Sequence, residues 1–445
     1  MEKTNITVDV SCLVKEFNFS FEEIILTIKE KLNQGGAVAL AEFIFFWVSK
    51  ILCRYYADVI LTKMKKSCCE SPYWLAHGSY RKSIKTTLGK LGLQIHRMKC
   101  HSCQATFSPF NIFFGLSNNR SWSLDLEKTS LEMIKDQSFR RTVKHLYITT
   151  GVKISKNLVH KMVLNSDLKK QDLKIIEDLQ VIAADATGYK PHNENSKKDL
   201  KIVLGMNKQH RLIPVGAWIR SSWSQIGKEI KKANHPNKSL AFKPVANIFL
   251  SDGEVHMING LKHLACHQQR CQWHFVRDFK YAYIYQGEGK KEDSRIITNY
   301  LWEMMRRLSI EEKPENEDEQ LKILADVLKA EKELEQLELK LAQGNHSSAA
   351  TYLRNARFVL FNHLRVLLKS GEKVAKVTSQ IERFMRELAR RMKRIAHNWS
   401  ERGAEIMARI LMKLTLDPVG WENYWEEKMK ITGNFELEVK MLRST

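Results

Sequence analysis

Asn247–His274 reads NIFLSDGEVHMINGLKHLACHQQRCQWH, and the fold class turns on how this stretch is understood. An apolar run, Ile248-Phe249-Leu250, stops at Ser251-Asp252-Gly253. Such a run suits a buried strand that delivers a carboxylate to a sheet edge, with a glycine behind it to let the backbone turn away. Met257 to Ala265 has helical spacing and a second short extended run follows. Cys271-Gln272-Trp273-His274 then sets a cysteine and a histidine three positions apart. Alone, an Asp-Gly at a strand end is most simply an Asx turn. A cysteine and a histidine are most simply a buried thiol and a core imidazole. Other stretches of the chain give them weight.

Upstream, Leu179–Gly188 (LQVIAADATG) is another apolar β-type run ending in an aspartate followed by small residues. Asp185 and Asp252 are 67 positions apart (252 − 185). Between them lie KIVLGM (201–206), RLIPVGAWI (211–219) and a basic helical segment, Ser222 to Ala233, which gives a β-β-β-α-β order. In that order the strands carrying Asp185 and Asp252 can lie side by side, with both carboxylates at one end. Downstream, Thr378–Arg391 reads TSQIERFMRELARR, where Ile381, Met385 and Leu388 form an apolar stripe on a polar, basic helix. Glu382 falls in the first turn of that helix, placed to point inward.

A strand-end Asp, a strand-end Asp-Gly with CxxH about twenty residues on, a long helical stretch and a TSxxIER helix with trailing arginines: this order resembles the Mutator-type transposases of bacterial and archaeal insertion sequences. The resemblance spans roughly residues 179–414, with a weaker echo upstream. It implies an α/β fold, an RNase H-like mixed sheet with a large all-helical insertion, and a DDE triad of Asp185, Asp252 and Glu382. It implies a DNA transposase that cleaves at the ends of its element and transfers the 3′-OH strand into target DNA. Gln380 departs from the family, which usually has Asn after the Thr-Ser pair. Phosphodiester cleavage needs a more basic attacking oxygen and a stabilised leaving oxygen, and two divalent ions about 4 Å apart supply both. Hard cations take oxygen ligands, so Asp185, Asp252 and Glu382 are the expected holders of two Mg²⁺ (or Mn²⁺) ions. Arg383 and Arg386 are candidate phosphate clamps on DNA. Cys271 and His274 are expected beside the active site, ordering DNA or the fold. Zinc there would need further ligands such as Cys266 or His267. Glu405, in His397–Glu405 (HNWSERGAE), is the other candidate third carboxylate, opening a helix with Met407 and Ile410 facing inward.

Composition agrees with a nucleic-acid partner. The 445 residues suffice for two to four domains, and 43% hydrophobic residues can supply their cores. Lys plus Arg number 72 against 50 Asp plus Glu, a formal +22, which favours an anionic polymer. Basic residues recur beside aromatic ones, as in Trp218–Trp223 (WIRSSW) and Phe275–Tyr281 (FVRDFKY). Double-stranded DNA is therefore the expected partner, with a homodimer or larger assembly formed on it. Glu2, Lys3 and Asp9 interrupt any signal peptide, and the longest apolar stretch, Ala37 to Val48, is broken by Glu42 and too short to span a bilayer. A cytoplasmic, nucleoid-associated protein is the expectation. The eight cysteines include one CxxC and one Cys-Cys pair, favouring metal or free thiols over a disulfide framework.

In chain order, residues 1–64 read as a helical N-terminal region with amphipathic runs at Phe21 to Leu32 and Val38 to Leu61. Residues 65–110 read as a zinc-ribbon-like module with Cys68, Cys69, Cys100 and Cys103 as zinc candidates around a hairpin. Adjacent thiolates rarely ligate one tetrahedral ion, so one of Cys68 and Cys69 with a residue such as His77 would complete the site; a ribbon that has lost its metal is the alternative. Arg81, Lys82, Lys85, Lys90 and Arg97 would face phosphates. Residues 111–170 carry a helix-turn-helix pattern: Val143, Leu146 and Tyr147 on one helix, a turn at Thr149–Val152, and Ser155 capping a second helix with Leu158, Val159 and Val163 inward. Lys156, Asn157, His160 and Lys161 would then enter a major groove. Residues 171–285 are the first part of the core and 286–376 the helical insertion, with an acidic loop at Glu311 to Glu319 and leucines and valines at three and four spacing over Leu321 to Leu341; a plain solvated helical pair is the bland alternative. Residues 377–445 hold the last part of the core and C-terminal helices. Two alternatives stand beside the transposase: an inactive, transposase-derived sequence-specific DNA-binding protein, and an RNase H-fold nuclease that cuts without joining.

Overall fold

The computed structural model describes residues 6–15, 18–32, 36–55, 68–69, 73–117, 120–169, 173–175, 178–192, 198–235, 243–286, 289–395 and 399–443. The chain is mixed α/β and forms two compact units, Met1–Asn165 with Pro418–Thr445, and Ser166–Asp417. None of the helices is long and apolar enough to cross a membrane, among the described residues.

The first unit corrects the all-helical reading of residues 1–64. Ile6–Val14 is a strand, β1, paired antiparallel with β10 (Phe435–Arg443) in a register running from Ile6↔Arg443 to Val14↔Phe435. The sequence ITVDVSCLV places an aliphatic or small residue at every second position, the period of a strand. Its partner lies far along the chain, and the same pairing takes Pro418–Thr445 out of the core region assigned to residues 377–445. The helices Phe21–Lys31 and Ala37–Tyr55 follow; the rest of the second run, residues 56–61, lies outside the described residues. The first helix begins at a capping box in which Ser20 and Glu23 satisfy each other's backbone amides. Ile24, Ile25, Ile28, Phe45 and Leu52 pack with Ile84, Leu91, Leu93 and Ile95 of a long hairpin in one core. That hairpin is β2 (Trp74–Thr86) and β3 (Gly89–Cys100), with the short β4 (Thr106–Phe107) on the far side of β3.

Lys82 departs from its expected phosphate-facing role. It is buried, its Nζ donates to the Ser117 carbonyl at 2.7 Å, and burial lowers its pKa. The helix-turn-helix segment is two helices, Phe139–Thr150 and Lys156–Asn165. Gly151 ends the first in the left-handed region at φ 68°, and the Ser155 hydroxyl accepts the Leu158 amide at 3.1 Å to cap the second. Leu146 is buried as expected. Tyr147 is exposed, whereas Thr142 on the same helix is buried.

The second unit is built on a five-stranded sheet: β5 (Leu179–Tyr189), β6 (Lys198–Met206), β7 (Leu212–Ile219), β8 (Ala246–Ser251) and β9 (Ala265–Arg270), in the order β7-β6-β5-β8-β9. β5, β6 and β7 are antiparallel neighbours, whereas β8 runs parallel to β5, and β9 parallel to β8. Helix Trp223–Asn234 joins β7 to β8 and buries Trp223, Ile226 and Ile230 against Ile182, Val203 and Phe249 of the sheet. The parallel β5–β8 pair requires such a crossover. The helical stretch between β9 and Glu382 makes its own core. Phe275, Phe279, Leu301, Met304, Val327, Leu334 and Leu353 pack together there. The helical spacing of Leu321 to Leu341 falls within one 27-residue helix, Glu317–Gln343, with Val327 and Leu334 inward and Leu321 and Leu328 exposed.

Candidate active site and cysteine cluster

Asp185 was expected at a strand end, yet it lies inside β5, opposite Ile202 of β6, and the strand runs on to Tyr189. What stops short is the parallel pairing with β8, whose last partners along β5 are Ala183↔Leu250. That pairing has a constant offset of 67 (250 − 183), the same offset that separates Asp185 from Asp252. The register therefore carries both carboxylates to one level of the sheet. Asp252 sits one residue past β8, in a turn where its Oδ1 accepts the Glu254 amide at 3.0 Å. The Asx turn and the candidate site carboxylate are thus the same residue.

Gly253 is at φ +100°, and a Cβ there would lie 1.0 Å from Nη1 of Arg270, so the guanidinium fills the volume a side chain would need. Arg270 is buried. Its Nη2 donates to the Tyr352 hydroxyl at 3.0 Å and its guanidinium lies 5.5 Å from that ring's centre. Neither residue carried a sequence signal beyond Arg270 standing next to Cys271.

Glu382 lies in the first turn of helix Ser379–Ala389, which buries Ile381, Phe384, Met385 and Leu388. Its Oε1 accepts from the Thr378 hydroxyl at 2.8 Å and lies 3.7 Å from Nδ1 of His274. Arg383 and Arg386 occupy the exposed side of the same helix. Burial, foremost, raises the Asp185 pKa to about 6. The charges of Asp252 and Glu382 push it the same way, against the Ala186 amide and His274. Asp185, Asp252 and Glu382, from three separate elements, therefore share one electrostatic environment. Among the described residues none of the three is ion-paired with a lysine or arginine. Glu405 is on helix Glu401–Leu416, where it is ion-paired with Arg409, and it is not among the leading influences on the Asp185 carboxyl.

Cys271 precedes helix Gln272–Lys280, is fully buried, and approaches Thr378 through its Sγ, 3.3 Å from Oγ1. His274 Nδ1 lies 3.3 Å from that sulfur and 3.1 Å from the Thr378 hydroxyl. Burial opposes both ionised forms, but their mutual hydrogen bond leaves the Cys271 pKa lowered and that of His274 raised. Cys266 and His267 are exposed on β9, and no metal-capable cluster includes Cys271 among the described residues.

The four cysteines of the N-terminal module do converge. The sulfurs of Cys68, Cys69, Cys100 and Cys103 all lie within 4.8 Å of one another, with Cys68–Cys69 and Cys69–Cys100 both at 3.7 Å. A tetrahedron with metal–sulfur bonds of about 2.3 Å has edges of about 3.8 Å, so the spacing suits a four-thiolate ion. This corrects the expectation that only one of the adjacent pair takes part with His77, which lies exposed on β2 outside the cluster. Cys68 and Cys69 sit in a bend, free of the strand alternation that would turn neighbouring side chains apart. The Cys103 amide at its sulfur, the largest influence, helps lower the Cys100 pKa to about 6.

Lys156, Asn157, His160 and Lys161 are all exposed on helix Lys156–Asn165. Lys161 lies 5.7 Å from the Trp122 ring centre, and the His160 ring 5.8 Å from that of Phe139.

No protein-family model and no curated protein matches this chain. Among solved structures it is similar to a chain of the Drosophila P element transposase strand transfer complex, at 9% sequence identity and a TM-score of 0.40, over 65% of this chain and 92% of that one.

Proposed function

We propose that the chain is a metal-dependent DDE transposase of an insertion sequence, cutting DNA at the element's ends and joining the freed 3′-OH to target DNA. The observation that carries this reading is that the β5–β8 register brings Asp185 and Asp252 to one level of the sheet, that Asp252 and Glu382 both act on the charge of Asp185, and that none of the three pairs with a lysine or arginine among the described residues. The strand order supports an RNase H-like reading of the sheet. Numbered within the unit it is 3-2-1-4-5, with the first three strands antiparallel and the aspartates on or just after strands 1 and 4. The helical domain between Asp252 and Glu382 supports the Mutator-type assignment.

An all-oxygen donor set, dense in negative charge, fits Mg²⁺ or Mn²⁺ better than a soft metal. Asp185 and Asp252 would hold a shared ion and Glu382 would complete the second site. When bound, two such ions make the attacking oxygen more basic and stabilise the leaving oxygen. Asp185, with its pKa near 6, is partly protonated in mildly acidic solution and gives up that proton when a cation takes its place. Arg383 and Arg386 would grip phosphates beside Glu382. The helix bearing Lys156, Asn157, His160 and Lys161 would read the element's end in the major groove, and the four-cysteine cluster would hold a structural zinc ion. The excess of 72 basic over 50 acidic residues supports double-stranded DNA as the partner. We take the working form to be a dimer or larger assembly on DNA, in a nucleoid-associated cytoplasmic protein.

A strand-transfer assay tests this: full-length protein, Mg²⁺ or Mn²⁺, and a labelled duplex from the flank of its own gene, beside the Asp252→Asn protein. Joined products from the wild type alone are the expected result. Cleavage without joining would replace the transposase by a nuclease, and binding without cleavage by an inactive DNA-binding descendant.

A further inference from the structure

The CxxH pair has no part in the chemistry above, yet both of its side chains are buried against the residue that holds Glu382. Resting on the reading of Glu382 as a metal-ligating carboxylate, we propose that Cys271, His274 and Thr378 are positioning residues that present the Glu382 carboxylate in one orientation.

The hydrogen bonds have only one self-consistent direction. An ionised carboxylate can only accept, so the Thr378 hydroxyl, 2.8 Å from Oε1, donates its one proton to Glu382. The oxygen of that hydroxyl can then only accept. His274 Nδ1 at 3.1 Å therefore carries its hydrogen and donates to Thr378, sharing that hydrogen with the Cys271 sulfur 3.3 Å away. The Cys271 sulfur in turn accepts the Thr378 backbone amide at 3.4 Å. The chain of donation runs from the CxxH motif through Thr378 to the carboxylate.

The setting gives this direction a purpose. Thr378 and His274 are buried and Cys271 is fully so, while the Glu382 side chain is 34% exposed at the site's open side. A glutamate on the first turn of a helix otherwise samples several rotamers, and here a rigid, buried network fixes its outer end. The Gln272 amide, donating to the Lys376 carbonyl at 3.0 Å, ties the same two segments through the backbone, so the side-chain bonds are not needed merely to join them. Contacts to the residues that hold a metal typically change its affinity by 10–100-fold.

The test compares full-length Thr378→Val, which keeps the buried shape and removes the hydroxyl, with Thr378→Ser, which keeps the hydroxyl. Mn²⁺ binding is followed by electron paramagnetic resonance, the metal concentration for half-maximal cleavage is measured, and thermal unfolding is recorded in chelator. Expected for Thr378→Val are a fall of about tenfold or more in Mn²⁺ affinity and a matching rise in the metal required. Thr378→Ser should restore both, with unfolding in chelator little changed. Glu382→Gln is the control. Should Glu382→Gln lose Mn²⁺ while Thr378→Val binds it like the wild type, the positioning role is overturned and the function stands. Should Glu382→Gln bind Mn²⁺ and cleave like the wild type, the reading of Glu382 falls and this proposal with it. Equal losses in Thr378→Ser and Thr378→Val would also overturn it. If Thr378→Val does not fold, His274→Asn, which keeps an N–H near the Nδ1 position, against His274→Leu asks the same question with the same outcomes.

Discussion

In the metal-free protein, Asp185→Asn replaces a carboxyl that burial and two neighbouring carboxylates hold at a pKa of about 6 with a neutral amide of the same shape. The folded pKa lies above the ordinary value of 3.8, so the stability tied to the protonated carboxyl is fully present below pH 3.8. It is lost as pH rises to about 6. Above that, the wild type carries a penalty of about 3 kcal/mol, from the difference 6 − 3.8 at about 1.4 kcal/mol per unit. The asparagine carbonyl can still accept the Ala186 amide, so the variant should escape most of that penalty. For a unit of this size, about 1 kcal/mol moves Tm by roughly 2–4 °C, so the gain at pH 7.5 is on the order of 6–12 °C. At pH 4.5, where the wild-type folded carboxyl is mostly protonated, it should shrink to about 1 kcal/mol. Thermal unfolding in chelator at the two pH values measures it, and excess Mg²⁺ should raise the wild type more than the variant. An Asp185→Asn protein no more stable than wild type at pH 7.5, or equally stabilised at both pH values, would refute the reasoning.

Gly253→Ala should lower stability by at least about 2 kcal/mol in chemical denaturation, because φ +100° disfavours alanine and its Cβ would overlap the Arg270 guanidinium. Purified wild-type protein should carry one zinc ion per chain by elemental analysis, and Cys69→Ser should lose it although Cys68 remains beside it. Replacing Lys156 and Lys161 together by alanine should reduce the slope of log affinity against log salt by up to about 2, with a shift in slope near zero arguing that this helix does not lie on DNA.

Much of the second unit could be read locally. Apolar runs at 179–184 and 248–250, with their common offset, anticipated neighbouring parallel strands, and the spacing of Ile381, Met385 and Leu388 anticipated which face of their helix is buried. The extent of β5 could not be read so. Ala186-Thr187-Gly188 looks like a terminator, but β6 supplies antiparallel partners through Tyr189, so pairing with a distant strand overrides weak local propensity. Lys82 was misjudged for a similar reason. On a hairpin, alternation assigns it a face, but the Ser117 carbonyl that receives it belongs to a later loop. Thr378 was visible only as a letter in a motif, because its partners Cys271 and His274 lie more than a hundred positions earlier. Local pattern likewise misled for Cys68 and Cys69, because adjacent thiolates rarely share one tetrahedral ion, whereas here the bend brings both sulfurs to the cluster.

The pairing of β1 with β10 also bears on how the chain is made. Between Val14 and Phe435 the ribosome must add 421 residues (435 − 14), which takes roughly 20–80 s at 5–20 residues per second. For that interval the whole of the second unit has been synthesised while the first strand's hydrogen-bonding edge waits for its partner. Of the two units, the one with the zinc-candidate cluster and the helix proposed to meet DNA therefore begins to emerge before the other and is finished after it.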